Sequence, residues 1–239
     1  MDFQELNYQS YSHEGELERS LAFPVLMRKV YTWMTLALVI TGFTAYAVAT
    51  SPAILNLIFG NRFMIWVLFG AELLLVIGLS SAINKLSLTV ATLMFILYSV
   101  INGAVFSSIF FAYTMGSIAK VFFITAGTFG AMSLFGYFTR SDLSSWGRIL
   151  FMGLIGVIIA TVVNIFVQSD ALTTILSYAG VLVFVGLTAY DTQKIKRMFL
   201  EAPDAGETMQ KYALLGALSL YLDFINLFIY LLRLFGRHE

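Results

Sequence analysis

The sequence predicts an all-α polytopic membrane protein that crosses the bilayer as about seven helices, and three observations predict it. Hydrophobic residues fill 59% of the 239 positions and charged residues 12%, about half the charged share of an ordinary soluble domain. Apolar segments recur at lengths near 20 residues, enough to cross a hydrocarbon core of about 30 Å at about 1.5 Å per residue. Runs such as VLFGAELLLVIG and FMGLIGVIIATVV do not alternate as the strands of a membrane barrel would.

Residues 1–22 are polar and carry Glu14, Glu16 and Glu18, so they are expected as a cytoplasmic tail ahead of one seven-helix transmembrane domain over 23–239. No small-residue cleavage motif follows a short apolar core, and the first span is expected to stay in the mature chain. The spans fall near 30–50, 63–83, 87–112, 117–138, 147–168, 171–193 and 211–234, with the weakest separation at the Tyr113 to Ser117 turn, where Met115-Gly116 interrupts a long apolar tract. The sixth helix is expected to run on to about Phe199, because no breaker precedes Pro203. Small residues at four-residue spacing, Ala104 with Ser108, Ala126 with Gly130 and Gly156 with Ala160, offer points of close helix approach. Trp33, Trp66 and Trp146 sit near span ends, where interfacial anchors belong.

Charge at the span ends gives an orientation. With a cytoplasmic N-terminus, that side receives Arg19, Arg28, Lys29, Lys85, Arg140, Arg148, Lys194, Lys196, Arg197 and Lys211, and the other side receives Arg62, Lys120, Arg233 and Arg237. The bias predicts N-in and C-out. Arg233 and Arg237 stand against it, and six spans with one re-entrant segment form the alternative topology.

Composition also narrows chemistry. Fourteen basic and fourteen acidic residues cancel, giving no electrostatic case for nucleic acid. Cysteine is absent, which removes thiolate chemistry and sulfur-ligated metals. The two histidines, His13 and His238, lie near opposite termini, so neither a multi-histidine centre nor a histidine triad is expected inside the membrane.

The informative residues are those that hydrocarbon tolerates poorly. Ionisable groups inside the spans are Glu72, Asp191 and Asp223, and such groups are expected to face the bundle interior or water. Asp223 shares a helix face with Asn226 and Tyr230 at three and seven residues' spacing. Asp191 lies in AYDTQKIKRMF, where Lys194 is an available counter-charge at i+3. Glu72 and the amides Asn102 and Asn164 serve either as parts of an ion path or as polar support between helices.

The last two helices run antiparallel across a short connection, so they are expected to be neighbours. If their aspartates meet in a poorly solvated site, the two carboxylates share a proton more readily than they both ionise. Ionised, they repel one another and offer oxygen ligands to a hard cation such as Ca²⁺. The residues therefore suggest a pH-gated cation site that needs no catalysis.

The stretch GLTAYDTQKIK and the later LSLYLDFINLFIYLLRLFG, behind seven apolar segments that include INGAVFSSIF, resemble the Bax inhibitor-1 family in its bacterial branch. The resemblance implies six helices surrounding a central seventh and a pH-sensitive Ca²⁺ leak. It places a di-aspartyl pH sensor and gate on Asp191 and Asp223, which would be transient Ca²⁺ ligands. Glu72 looks like the acidic residue of the family's second span. The implied location is the inner (plasma) membrane of a bacterial cell, with lipid, Ca²⁺ and protons as partners, no cofactor, Ca²⁺ as the transported ion, and a monomer sufficient. One departure stands out. Where relatives can carry an arginine latch at the end of the second span, GLSSAINKLS offers only Lys85, a weaker latch without the planar guanidinium fork.

Three other functions compete. A proton- or cation-coupled calcium exchanger would use the same carboxylates. An intramembrane aspartyl protease would need a Gly-x-Gly-Asp context, whereas the chain reads Leu220-Tyr221-Leu222-Asp223. A regulator of partner proteins would act through the charged 194–211 loop.

Overall fold

Lipid offers a backbone no hydrogen-bond partners, so each apolar segment satisfies its own amides by coiling into a helix. The computed structural model describes the backbone of residues 3–201 and 206–237, and the side chains of 24–200 and 206–237 apart from Arg62. In chain order the helices are α1 (Phe3–Ala49), α2 (Pro52–Phe59), α3 (Arg62–Ala82), α4 (Leu88–Phe106), α5 (Ile109–Ala112), α6 (Met115–Phe138), α7 (Ser144–Val167), α8 (Asp170–Glu201) and α9 (Glu207–Phe235). Among the described residues seven stretches are long and apolar enough to span a bilayer: Pro24–Ala49, Phe63–Ala82, Leu88–Ala112, Met115–Phe138, Ser144–Val167, Asp170–Leu200 and Glu207–Phe235. Helical backbone already runs through 3–22, the segment expected as a polar tail, and the tail's side chains lie outside those described.

Local chemistry explains the boundaries. Asn61, Ser87 and Thr114 accept from the amides of Phe63, Val90 and Ser117 at 2.9, 3.3 and 3.3 Å, capping α3, α4 and α6. Gln168, left-handed at φ 52°, ends α7. The third span breaks after Phe106, where the Ser107 and Ser108 hydroxyls bond back to Ala104 and Val105 carbonyls at 2.7 and 3.1 Å. The separation expected over Tyr113–Ser117 falls at extended Tyr113 and Thr114, and Met115-Gly116 already form the first turn of α6. As expected, α8 continues past Phe199.

Burial places α9 at the centre. Of its span window 72% is buried, against 6% for α3 and for α7. The neighbours of α9 are α1, α4, α6 and α8, while α3 packs on α4 and α7 on α8. Among the described residues no extended contact joins α3 to α7 or α1 to α6. The surround therefore has two seams, each holding a cavity: about 1270 Å³ between α3 and α7, and about 660 Å³ between α1 and α6. Lipid-facing bulk such as Leu74, Phe123 and Phe166 covers the outside, with Trp66 and Trp146 exposed and Trp33 packed partly against the core.

The close approaches fall at other glycines than the expected pairs. A Cβ on Gly136 would lie 2.2 Å from the Ala189 carbonyl oxygen and one on Gly103 2.5 Å from that of Thr41, whereas Gly130 and Gly156 face open space. At the α1–α4 contact the Thr41 hydroxyl donates to Ser99 O at 3.0 Å and so accepts from the Tyr221 hydroxyl at 2.7 Å. Thr41→Val is expected to strand that hydroxyl at a cost of about 1–3 kcal/mol. Thermal unfolding in detergent measures it, and Tyr221→Phe added to Thr41→Val should bring little further loss.

The loops divide between two faces. The basic face carries 83–87, 139–143 and Gly206; the far face carries 50–61 with α2, 113–114, 168–169 and 236–237. On the far face the Thr114 amide donates to Arg237 O at 3.2 Å, and the Arg237 amide to Ser117 Oγ at 2.9 Å, pinning the end of the chain to the start of α6.

Candidate functional site: an acidic cavity in the α3–α7 seam

Residues 219, 223, 226 and 230 repeat at helical spacing, so Ser219, Asp223, Asn226 and Tyr230 form one face of α9. That face forms one wall of the larger cavity, whose other walls come from α3, α4, α7 and α8. Asp191 and Lys194 enter from α8, Glu72 from α3, Tyr98 from α4 and Arg148 from α7. The expected Asp191, Asp223, Glu72, Asn226 and Tyr230 thus line a single cavity.

Asp223 is only 4% exposed, and its Oδ2 is buried with no hydrogen-bond partner. Asp191 is half-buried on the adjacent helix. The two carboxyls are close enough to act on one another electrostatically, and Lys194 acts on both, but among the described residues no hydrogen bond joins the aspartates. Asn226 donates to Leu222 O at 2.8 Å. Glu72 lies beside the Asn102 amide, and Glu72 Oε1 and Asn102 Oδ1 are both buried without a partner. Asn102 Nδ2 donates to the Tyr98 hydroxyl at 3.2 Å. Among the described residues no three His, Cys, Asp or Glu side chains gather in a group that could hold a metal ion.

Asn102 lies behind the cavity wall beside Glu72, and the two other expected residues sit elsewhere. Asn164 ties the α7–α8 turn, donating to Thr173 Oγ1 at 2.7 Å and accepting from the Ser169 amide at 3.1 Å, which makes it polar support between helices. Lys85 is exposed in the turn after α3 and does not line the cavity, since α3 contributes nothing beyond Val76 toward that face. The cations that line the cavity are Lys194 and Arg148. The sequence reading treated Arg148 only as a marker of topology; its place five residues into a span start, on the face shared with Ser145 and Met152, was the available signal.

The basic end of the cavity is braced by α8. Gln193 Nε2 donates to Ser141 O at 2.8 Å and its Oε1 accepts from the Leu143 amide at 2.9 Å. Lys196 Nζ donates to Tyr137 O at 3.1 Å. Arg197 donates to Ser144 Oγ at 2.6 Å and pairs with Asp142 Oδ1 at 2.5 Å, while also touching Gln193. The Tyr190 ring packs against Gly147, where a Cβ would lie 2.2 Å from ring carbon Cε2. These contacts fix the first turn of α7, hence Ser145 and Arg148, relative to Asp191.

Donation from the Ser144 amide and hydroxyl, and then from Arg197, holds the Asp142 carboxyl at about 2, below its ordinary 3.8. A depressed carboxylate stabilises the fold above its unfolded value and loses that contribution as pH falls through the folded one. The Asp142 brace is therefore constant above about pH 4 and fades toward pH 2. It contributes nothing to a response near neutrality.

Fold and site together define a polytopic membrane protein with an acidic cavity built beside a buried last helix. The chain belongs to the Bax inhibitor-1 family: the family model described as "Inhibitor of apoptosis-promoting Bax1" matches residues 24–239. Among its relatives, "Inner membrane protein YbhL" of Escherichia coli K12 is 54% identical over 215 residues, covering 89% of this chain and 92% of the relative. An uncharacterized protein of Borreliella burgdorferi is 44% identical over 213 residues, with 89% and 92% covered. One from Rickettsia prowazekii is 43% identical over 213 residues, with 89% of each covered.

Proposed function

We propose that this protein is a pH-sensitive, calcium-permeable leak channel of a bacterial inner membrane, with the basic face and N-terminus cytoplasmic and the C-terminus external. The location follows the name of the Escherichia coli relative and the orientation follows the basic bias of the loops. The observation that carries the activity is Asp223: a carboxylate oxygen without a partner, on the central helix, at the wall of a cavity that also holds Asp191 and Glu72. Leaving such a group unpaired at mid-membrane costs several kcal/mol unless a proton or cation meets it.

Asp191 and Asp223 act as sensor and gate. The groups that face them are Glu72 of α3, Tyr98 of α4, Arg148 of α7, Tyr190 and Lys194 of α8, and Tyr230 of α9. Protonated, the aspartates leave the α8–α9 wall of the cavity without a negative centre, and the two cations at its basic end disfavour entry of a metal ion. Ionised, they offer hard oxygen ligands, completed by water for the six to eight that Ca²⁺ takes.

Purified protein in sealed liposomes is expected to pass Ca²⁺ down its gradient, faster at pH 8 than at pH 6, as read by an entrapped fluorescent indicator. Absence of flux from folded protein at every pH would overturn the proposal. The cavity's polar basic end and apolar far end also suit a coupled exchanger open to one side. Uphill Ca²⁺ movement on imposing a proton gradient would identify that mechanism instead.

A further inference from the structure

The two ends of the cavity differ in kind. Toward the basic face its lining includes Ser145, Arg148, Lys194 and Ser219; toward the far face each helix ends its contribution with an apolar or aromatic side chain, among them Phe184 and Tyr230. Tyr230 is 9% exposed, and its ring stacks on Phe184 with centroids 5.9 Å apart and planes at 26°. The ring fills a notch in α8 that exists because residue 180 is glycine: a Cβ there would stand 2.6 Å from two of the Tyr230 ring carbons. One turn outward, the Arg233 guanidinium lies 5.6 Å from the same ring centroid.

We infer that Tyr230 is the gate between the acidic cavity and the far face, an aromatic plug seated in the Gly180 notch against Phe184, with Arg233 as a cationic collar beyond it. The plug lies seven residues outward from Asp223 on α9, about 10 Å along the helix, so it separates the carboxylate from the far solution. An apolar constriction of this kind excludes water and hydrated ions without any charge of its own. Arg233 attracts the face of the ring and repels cations arriving from outside. Opening needs only a side-chain swing of Tyr230 away from Phe184. The collar and notch are on α9 and α8, the helices that carry the two aspartates, so a change in their packing reaches the plug directly.

The inference rests on the leak reading for what passes the plug, but its test does not require calcium flux. The chain contains no cysteine, so Asn226→Cys supplies a single thiol just below the ring. A charged, membrane-impermeant methanethiosulfonate reagent is applied to one face at a time, using inside-out and right-side-out vesicles. Labelling is expected to be slow from the far face and at least tenfold faster from the basic face. Gly180→Ala, which drives a methyl into the ring, should raise far-face labelling tenfold or more, and Tyr230→Ala should do the same should the alanine at 180 disturb folding. Equal labelling from both faces in the otherwise native chain, a far-face rate unmoved by both substitutions, or no labelling from either face would each overturn the gate. A protein that passes no calcium yet shows this labelling pattern would refute the leak alone.

Discussion

Asp223→Asn is expected to lower Ca²⁺ flux at pH 8 at least tenfold and to flatten its pH dependence, while leaving the protein as stable as before or more so. The substitution keeps shape and removes the charge. A hydrogen bond or ligand contact to a charged group contributes about 1.5–3 kcal/mol, and each ~1.4 kcal/mol is tenfold in occupancy, so a cation that depends on this carboxylate loses at least that much. Stability moves the other way because the Asp223 Oδ2 is buried with no partner to compensate it. Proteoliposome flux and thermal unfolding in detergent read the two effects separately. A drop in unfolding temperature with unchanged flux would make Asp223 a structural hydrogen-bonding residue and no part of a gate.

The largest loss of stability is expected at Gly136. Its absent Cβ lets α6 lie against α8 so closely that a methyl would sit 2.2 Å from Ala189 O and 2.9 Å from Ala189 C and Cα. These are backbone atoms of a helix and cannot swing aside, so Gly136→Val forces the helices apart. Overpacking typically costs about 1–3 kcal/mol, and the upper end is expected here, read as a lowered unfolding temperature in detergent. Gly130→Ala on the same helix, facing open space, is the control and should change little. Equal shifts for the two would mean that α6 and α8 do not meet as closely as described. The same substitution should also disturb flux, since Ala189 is two residues from Asp191.

The sequence was most informative where composition decides the outcome. Seven spans, the extension of α8 and the shared face of Asp223, Asn226 and Tyr230 were all legible, because length, hydropathy and a period of 3.6 residues fix them. Whether Asp191 and Asp223 lie at one depth was not resolvable by helix arithmetic, since it depends on how far α8 and α9 slide past one another. Nor could the order of helices in the surround be read. In water an apolar stripe marks the buried face, but in lipid the outer and inner faces of α7 are equally apolar, and Ile159 and Val157 differ in burial without differing in kind. Arg148 was hidden for that reason, and so was the second seam. Arg197 read as a charge that marks topology and Gln193 as part of a span, yet their side chains brace α7 because the 139–143 connection returns to them in space. Gly180 carried no signal of its own; only the ring that fills its notch gives it meaning.

The burial of α9 has a consequence for how the molecule is made. Chains emerge from the ribosome N-terminus first, so the helix around which the others pack is synthesised after α1–α8. Until Glu207–Phe235 enters the bilayer, α1, α4, α6 and α8 have no centre to pack against, and the Thr41 hydroxyl lacks the Tyr221 proton it accepts in the finished fold. A nascent chain stopped before residue 207 can make the α1–α4, α6–α8 and α7–α8 contacts but lacks the helix that joins them at the centre. The bundle is therefore closed around its centre only once α9 is in place.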